Sequence, residues 1–312
     1  MNIRPKNKTR ITVLTVYDTV VCLPRSSFYR ADIGSFISVW VNTRPFSVVK
    51  MDLDPEYVIP YMWDCLTPLS WATKIGEEAV VKVLLTRNDV NPSAADRHGR
   101  TPLFIAAREG HEGIVKMLLE HNYVNPNATD RHGQTPLFIA AREGHEGIVR
   151  MLLERRDVNP NTACEYGQTQ LSRAMWGGHN SNTAERYGVT PLSIAACEGH
   201  EGVVRILLER WDVYPNIANG FGQTPLFGAV CEGHEEIVKM LLKLRGVDPN
   251  TTDDRGQTPL FRAASDGHVR IVKMLLRRSD VNPDITDLAG ETALSQALKH
   301  GHHSIANLLL SE

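Results

Sequence analysis

The sequence predicts an all-α fold, a solenoid of stacked helix-turn-helix units with protruding hairpin-like loops. Two observations carry that reading. The segment Thr101 to Gln134, TPLFIAAREGHEGIVKMLLEHNYVNPNATDRHGQ, is nearly repeated from Thr135, so equivalent residues lie 34 positions apart. A fixed period of this length marks a repeat architecture. Each period also carries two short apolar stripes at helical spacing, parted by a glycine. A two-helix unit cannot bury its own apolar faces, whereas a stack of such units can.

Each element follows from local chemistry. Thr101 suits the N-cap of a first helix, because its hydroxyl can accept from an orphan backbone N–H. Pro102 suits the first helical position, where no N–H is needed. Leu103, Ala106 and Ala107 form an apolar stripe, and the small alanines allow close approach of a neighbour. Gly110 tolerates the positive φ that ends a helix. A second helix starts near Glu112, where an acid complements the helix dipole. It carries Ile114, Val115, Leu118 and Leu119 on one face. Asn125-Pro126 is expected to stop it, since proline cannot continue a helix. Asp130-Arg131-His132-Gly133 reads as a turn, with Asp bonding its own backbone and Gly supplying positive φ.

Repeats begin at Thr67, Thr101, Thr135, Thr169, Thr190, Thr224, Thr258 and Thr292. The pattern of Asp96, Gly99, Thr101-Pro102-Leu103, Ala106-Ala107, Gly110-His111, Ile114-Val115 and Leu118-Leu119 resembles the ankyrin repeat. The resemblance covers residues 67–312 and implies an ankyrin solenoid. Three departures stand out. The histidine that usually follows Thr-Pro-Leu is Phe104, Phe138, Phe227 and Phe261, or Ser70, Ser172, Ser193 and Ser295. Packing by Phe is expected to replace the lost polar contact. The period is 34 rather than 33 residues. The first repeat has Glu77 where others have His.

The fourth repeat is short. Thr169 to Thr190 spans 21 residues, 13 fewer than the period. The missing part corresponds to Glu146 through Val158 of the third repeat, the whole second helix. Either the deletion is real or the reading of the gene dropped an exon edge. A real deletion predicts a hole in the outer helix layer, cleavage near Trp176–Tyr187 and two unfolding steps. Residues 1–66 match the repeat poorly. Arg4, Lys6, Lys8 and Arg10 precede the apolar stretch Ile11 to Leu23, but Asp18 interrupts it and no small-residue cleavage site follows, against a secretory leader. Ser35 to Asn42 alternates as a short strand would, and Val48–Met51 resembles a decayed second helix. The favoured reading is a poorly ordered extension that partly caps the first repeat.

Enzyme chemistry finds little support. The His-Glu pairs at 111, 145, 200 and 234 lack the second His four residues on that a zinc-protease helix requires; those positions are all valine. The Gly-His positions His111, His145, His179, His200, His234, His268 and His302 form a ladder, but packed helices stand about 8–10 Å apart. Zinc holds each nitrogen at about 2.0–2.1 Å, so neighbours cannot share an ion. Inter-helix histidines bonded to nearby backbone are the simpler reading. Cys197 and Cys231 fall on equivalent positions too far apart for a disulfide. The net charge of −2 argues against a nucleic-acid binder. No stretch of 18 uncharged apolar residues exists to span a membrane. No cofactor or metal is expected, and few cysteines without C-x-x-C pairs point to the cytoplasm, with the nucleus also open.

The resemblance implies a non-catalytic module that binds a protein partner on the concave face of an ankyrin solenoid. The alternative is a sensor or regulatory region acting with a signalling NTPase or enzyme on another polypeptide. In ankyrin arrays the partner usually meets the loop tips and the exposed ends of the first helices. Carried over, this gives Arg97, Arg108, Arg131, Arg142, Tyr166, Trp176, Tyr187 and Phe221. The aromatic ones are expected to form a central cluster flanked by Arg108 and Arg142, suited to a partner segment with apolar and acidic residues.

Overall fold

The computed structural model describes residues 11–16, 19–24, 66–164 and 188–311. The chain divides into two bodies, Met1–Val124 and Asn125–Glu312. The N-terminal body opens with strands β1 (Ile11–Val16) and β2 (Thr19–Pro24), paired antiparallel with Ile11 opposite Pro24 and Val16 opposite Thr19. The apolar stretch Ile11 to Leu23 is therefore a hairpin, an element the sequence reading did not place. Ser35–Asn42 and Val48–Met51 lie outside the described residues.

Two helix pairs complete this body: α1 (Pro68–Ile75) with α2 (Glu78–Leu85), and α3 (Pro102–Glu109) with α4 (Glu112–Leu119). First helix packs on first helix and second on second, α1 against α3 and α2 against α4.

The C-terminal body continues the pattern. Its helices are α5 (Pro136–Glu143), α6 (Glu146–Glu154), α7 (Pro191–Glu198), α8 (Glu201–Leu208), α9 (Pro225–Cys231), α10 (Glu235–Leu242), α11 (Pro259–Asp266), α12 (Val269–Leu276), α13 (Ala293–Lys299) and α14 (His303–Leu309). The inner row runs α5, α7, α9, α11, α13 and the outer row α6, α8, α10, α12, α14, each helix packed on the next.

The caps form as the sequence dictates. Thr101, Thr135, Thr190, Thr224 and Thr258 each accept the backbone N–H three residues on, and proline opens each helix that follows. Gly144 and Gly199 close α5 and α7 with φ of 78° and 81°, a conformation that costs glycine no Cβ clash. The core is the two apolar stripes. In the third repeat Leu137, Ala140, Ala141, Ile148, Val149 and Leu152 are all buried. Phe104, Phe138, Phe227 and Phe261 are buried as well, so packing does replace the polar contact. Where serine stands instead, Ser70 and Ser193 hydrogen-bond the hydroxyls of Thr67 and Thr190 at 3.1 and 3.0 Å. The second helix stops earlier than Asn-Pro. Leu119 ends α4, and bonds from His121 N to Leu118 O and Val124 N to His121 O tighten the chain before Asn125. The apolar stripe has run out by then, so i→i−3 turns take over.

The expected hole in the outer layer is absent. In the C-terminal body α5 packs directly on α7 and α6 on α8, so the third repeat meets the fifth. Cys164 N donates to the carbonyl of Val189 at 3.0 Å, so the chain on either side of the fourth repeat meets at this point. Residues 165–187, which hold the rest of the fourth repeat, lie outside the described residues. A repeat lacking its second helix would leave the apolar faces of α6 and α8 unpartnered. Direct contact covers both.

Candidate partner-binding face

Among the described residues, each loop tip that begins with Asp or Asn is held by an Asx turn. Asp130 Oδ1 accepts from the backbone N–H of His132 and Gln134, both at 2.9 Å. Asp253 does the same for Arg255 and Gln257, and Asn219 for Phe221 and Gln223. Neighbouring tips are tied edge to edge: Asp254 N donates to Phe221 O at 2.8 Å and Leu288 N to Arg255 O at 2.9 Å. The backbone of this row is thus fixed, while its side chains differ from repeat to repeat. Burial pushes the Asp253 carboxyl above its ordinary value, and its backbone donors oppose the shift.

In the N-terminal body Arg97 is exposed and its Nε donates to His98 at 3.1 Å. Arg108 is half-buried and pairs with Glu109 at 2.6 Å. In the C-terminal body Arg131 is exposed, with no ion pair among the described residues. Arg142 pairs with Glu143 at 2.7 Å. Phe221 is half-buried in its loop. Tyr166, Trp176 and Tyr187 lie outside the described residues, so the aromatic cluster is not tested.

Direct stacking of the third repeat on the fifth sets Arg142 beside the end of α7. There Cys197 and Glu198 follow it along the inner row, then Cys231 and Glu232, then Ser265 and Asp266. Burial raises the Glu198 carboxyl above its ordinary value, with His200 and Arg142 pulling it back. Burial, aided by Glu232 and Glu198, pushes the Cys197 thiol up to about 12. Burial also raises Cys231, against the pull of Arg262. Both stay protonated thiols, poor nucleophiles at neutral pH.

Four of the seven ladder histidines bond to backbone of the preceding helix pair, His268 Nε2 is buried without a hydrogen bond, and His179 lies outside the described residues. Nε2 of His111, His200, His234 and His302 donates to the carbonyls of Lys74, Arg142, Cys197 and Ser265 at 3.4, 2.8, 3.0 and 3.1 Å. A carbonyl can only accept, so Nε2 carries the proton. Among the described residues no group of three His, Cys, Asp or Glu side chains is placed to hold a metal. None of the described helices is long and apolar enough to cross a membrane.

A family model for three copies of the ankyrin repeat matches residues 54–130, 161–253 and 243–312, and a second ankyrin model matches 109–153. The chain belongs to the ankyrin-repeat family. Ankyrin repeats are generally protein–protein interaction modules, and their domains are typically non-catalytic. Among solved structures, the ankyrin repeat domain of Bcl-3, described as a unique member of the IkappaB protein family, is similar with a TM-score of 0.63. That likeness covers 80% of this chain and 100% of the other at 22% identity, and shows the fold. No curated protein matches the sequence.

The ankyrin pattern did not point to three aromatic or apolar side chains that stand out in solvent. Tyr123 in the N-terminal body is 81% exposed, and Trp211 and Tyr214 in the C-terminal body are 92% and 60% exposed. All three sit in the turn that leaves a second helix. A signal was available. The position of Trp211 is Asn88, Asn122, Arg156, Arg245 or Ser279 in the other repeats, always polar.

Proposed function

We propose that this protein binds a protein partner through its loop tips and first-helix ends and carries out no catalysis of its own. In the C-terminal body Arg131, Arg142 and Phe221 contribute to that face, joined by Tyr166, Trp176 and Tyr187 of the fourth repeat. Arg97 and Arg108 hold the equivalent loop-tip and helix-end positions in the N-terminal body. One observation carries the reading. The apolar residues the repeats share are buried, whereas Arg131, Asp254, Arg255 and Leu288, at loop-tip positions where the repeats differ, are exposed, the last three on a hydrogen-bonded row of tips. A fixed backbone with varied exposed side chains lowers the ordering cost of association and leaves partner choice to those side chains. The partner segment best matched to arginines and aromatics is apolar and acidic.

The test is affinity capture on the immobilised full chain followed by mass spectrometry, run beside Arg131→Glu with Arg142→Glu and beside Lys116→Glu on the outer helix α4. Proteins retained by wild type and by Lys116→Glu, but lost with the arginine reversals, support the face. Loss with Lys116→Glu instead moves the site to the outer helices.

A further inference from the structure

The turn after α8 carries a feature that neither the repeat nor the proposed face accounts for. In the other repeats the residue two before the position that Asn161 holds in the third repeat is Asn or Asp, and its side chain accepts the backbone N–H two residues on. Asn91, Asn125, Asn159, Asp248 and Asn282 all do so at 2.9–3.0 Å. Tyr214 occupies this place in the fifth repeat and has no short acceptor to offer. The substitution gives up a turn-stabilising bond. Three residues earlier Trp211 replaces a polar residue and leaves its indole 92% exposed. Two aromatic replacements in one turn, one of them forfeiting a backbone bond and neither buried, serve no packing need.

The turn is also held still. Asn161 of the third repeat donates from Nδ2 to Asp212 O at 2.6 Å and accepts at Oδ1 from Tyr214 N at 2.9 Å. Arg210 pairs with Asp212 and donates to Leu153 O at 2.7 Å. The same pair of bonds joins Asn216 to Gly246 O and Asp248 N, so Arg156 and Arg245 occupy the positions flanking Trp211 in register. Both are exposed, as are Lys243 and Arg277 along the same edge, and none has an ion pair among the described residues. The carboxylates of Asp157, Asp212 and Asp280, by contrast, are already neutralised by Arg155, Arg210 and Arg278. Helix C-termini favour cations here in any case, but the dipole gives no reason for an exposed indole. Trp, Tyr and Arg are the side chains that dominate protein contacts.

We infer that Trp211 and Tyr214, flanked by Arg156 and Arg245, form a second docking surface for an acidic peptide segment bearing an apolar side chain. It lies at the exits of the second helices and is independent of the loop-tip face. The cations match the acidic residues, and the pre-ordered turn presents the rings without further cost in loop entropy. A nucleic-acid strand fits less well, because it would set a phosphate at every nucleotide along an edge where Glu154, Glu209 and Asp248 alternate with the cations, whereas a peptide need place only one or two carboxylates, against Arg156 and Arg245.

The test pans a random 12-residue peptide library against the full chain and measures the enriched peptides by fluorescence anisotropy, with a 12-nucleotide oligo-dT alongside. Trp211→Asn and Tyr214→Asn are the informative variants, because asparagine is what other repeats carry at these places. Acidic peptides with an apolar residue should be enriched. Their affinity should fall about tenfold or more in either variant and should weaken with added salt. Tyr214→Asn should leave the melting temperature unchanged or higher, since it restores the turn bond. Failure to enrich such peptides, equal binding by the variants, tighter Trp211-dependent binding of oligo-dT, or a clear fall in melting temperature with Tyr214→Asn would each overturn the assignment.

Discussion

The junction between the third and fifth repeats and the junction between the sixth and seventh are built from the same contacts across very different lengths of chain. At the regular junction Asn250 Nδ2 donates to Asp280 O at 2.6 Å and Asn282 N donates to Asn250 Oδ1 at 2.8 Å. At the irregular one Asn161 makes the equivalent pair at 2.6 and 2.9 Å. Arg278 donates to Leu242 O, and Arg210 donates to Leu153 O. His200 reaches Arg142 O across 58 residues, as His234 of the sixth repeat reaches Cys197 O of the fifth across 37; at the junction of the sixth and seventh repeats this one contact is missing, and His268 Nε2 is buried without a hydrogen bond. Each interface is specified by the faces that meet, whatever the chain does between them.

The energetics explain why. Burying an aliphatic side chain is worth ~1.5–3 kcal/mol, and Ile148, Val149, Leu152, Val203, Val204 and Leu207 are all buried at this junction. Each doubling of an intervening loop costs only ~0.6 kcal/mol in closure entropy. Joining the third repeat to the fifth across a longer interval of chain therefore costs far less than leaving two outer helices half-covered. The two unfolding steps expected from a gap in the outer layer lose their basis, because the weakest interface is no longer there.

The comparison can be broken most directly in the core. Leu152→Ala at the irregular junction and Leu241→Ala at a regular one remove side chains that are both fully buried. Each should cost about 2–5 kcal/mol in urea denaturation, and the two should agree within the scatter of such measurements. A much smaller loss for Leu152→Ala would restore the gap. Next comes the fourth repeat itself. Trp176→Ala and Tyr187→Ala should each weaken binding of a captured partner by about 2 kcal/mol with helix content unchanged by circular dichroism. Unchanged affinity in both would remove the fourth repeat from the binding face.

A smaller effect is expected when residues 165–187 are replaced by a short Gly-Ser turn between Cys164 and Gly188. Stability should change by less than about 1 kcal/mol, and a single cooperative transition should persist. Loss of cooperativity would show that the fourth repeat supports the stack. The smallest effect is on acid stability. Arg210 holds the Asp212 carboxyl below its ordinary 3.8, as Arg278 does for Asp280. The folded state thus favours the carboxylate. Its contribution is present above that ordinary value and is lost as pH falls through the lowered one. Asp212→Asn should slightly flatten the acid limb of the stability curve, and Asp280→Asn should do the same. A larger change at Asp212 would mean that its ion pair carries the irregular junction.

Much of this was legible in the residues. Thr101, Pro102 and Gly110 act through bonds to backbone groups a few positions away. The limits of the first helices and the loop turn at Asp130 therefore follow from local order, as does the burial of Leu103 and Ala106, whereas the second helix ends at Leu119, ahead of the Asn-Pro stop. The candidate arginines could be placed on exposed ends and tips for the same reason, although Arg108 and Arg142 turn out to be engaged by the acids beside them. Exposure at Trp211 was harder to read. An indole counts as apolar in any periodicity, and only the polar residues at the same place in other repeats marked it as unusual. The strands of Ile11 to Leu23 fell outside the period altogether.

Period, caps and core were therefore decided by neighbours in the chain, where each interaction spans a few residues and few alternatives compete. The partner of each helix face was decided in space. The outer faces of the repeats are nearly interchangeable, so α6 could be covered by whichever second helix came next. The fourth repeat offers none, and a free energy summed over whole interfaces, not any local signal near Thr169, sets α8 in that place.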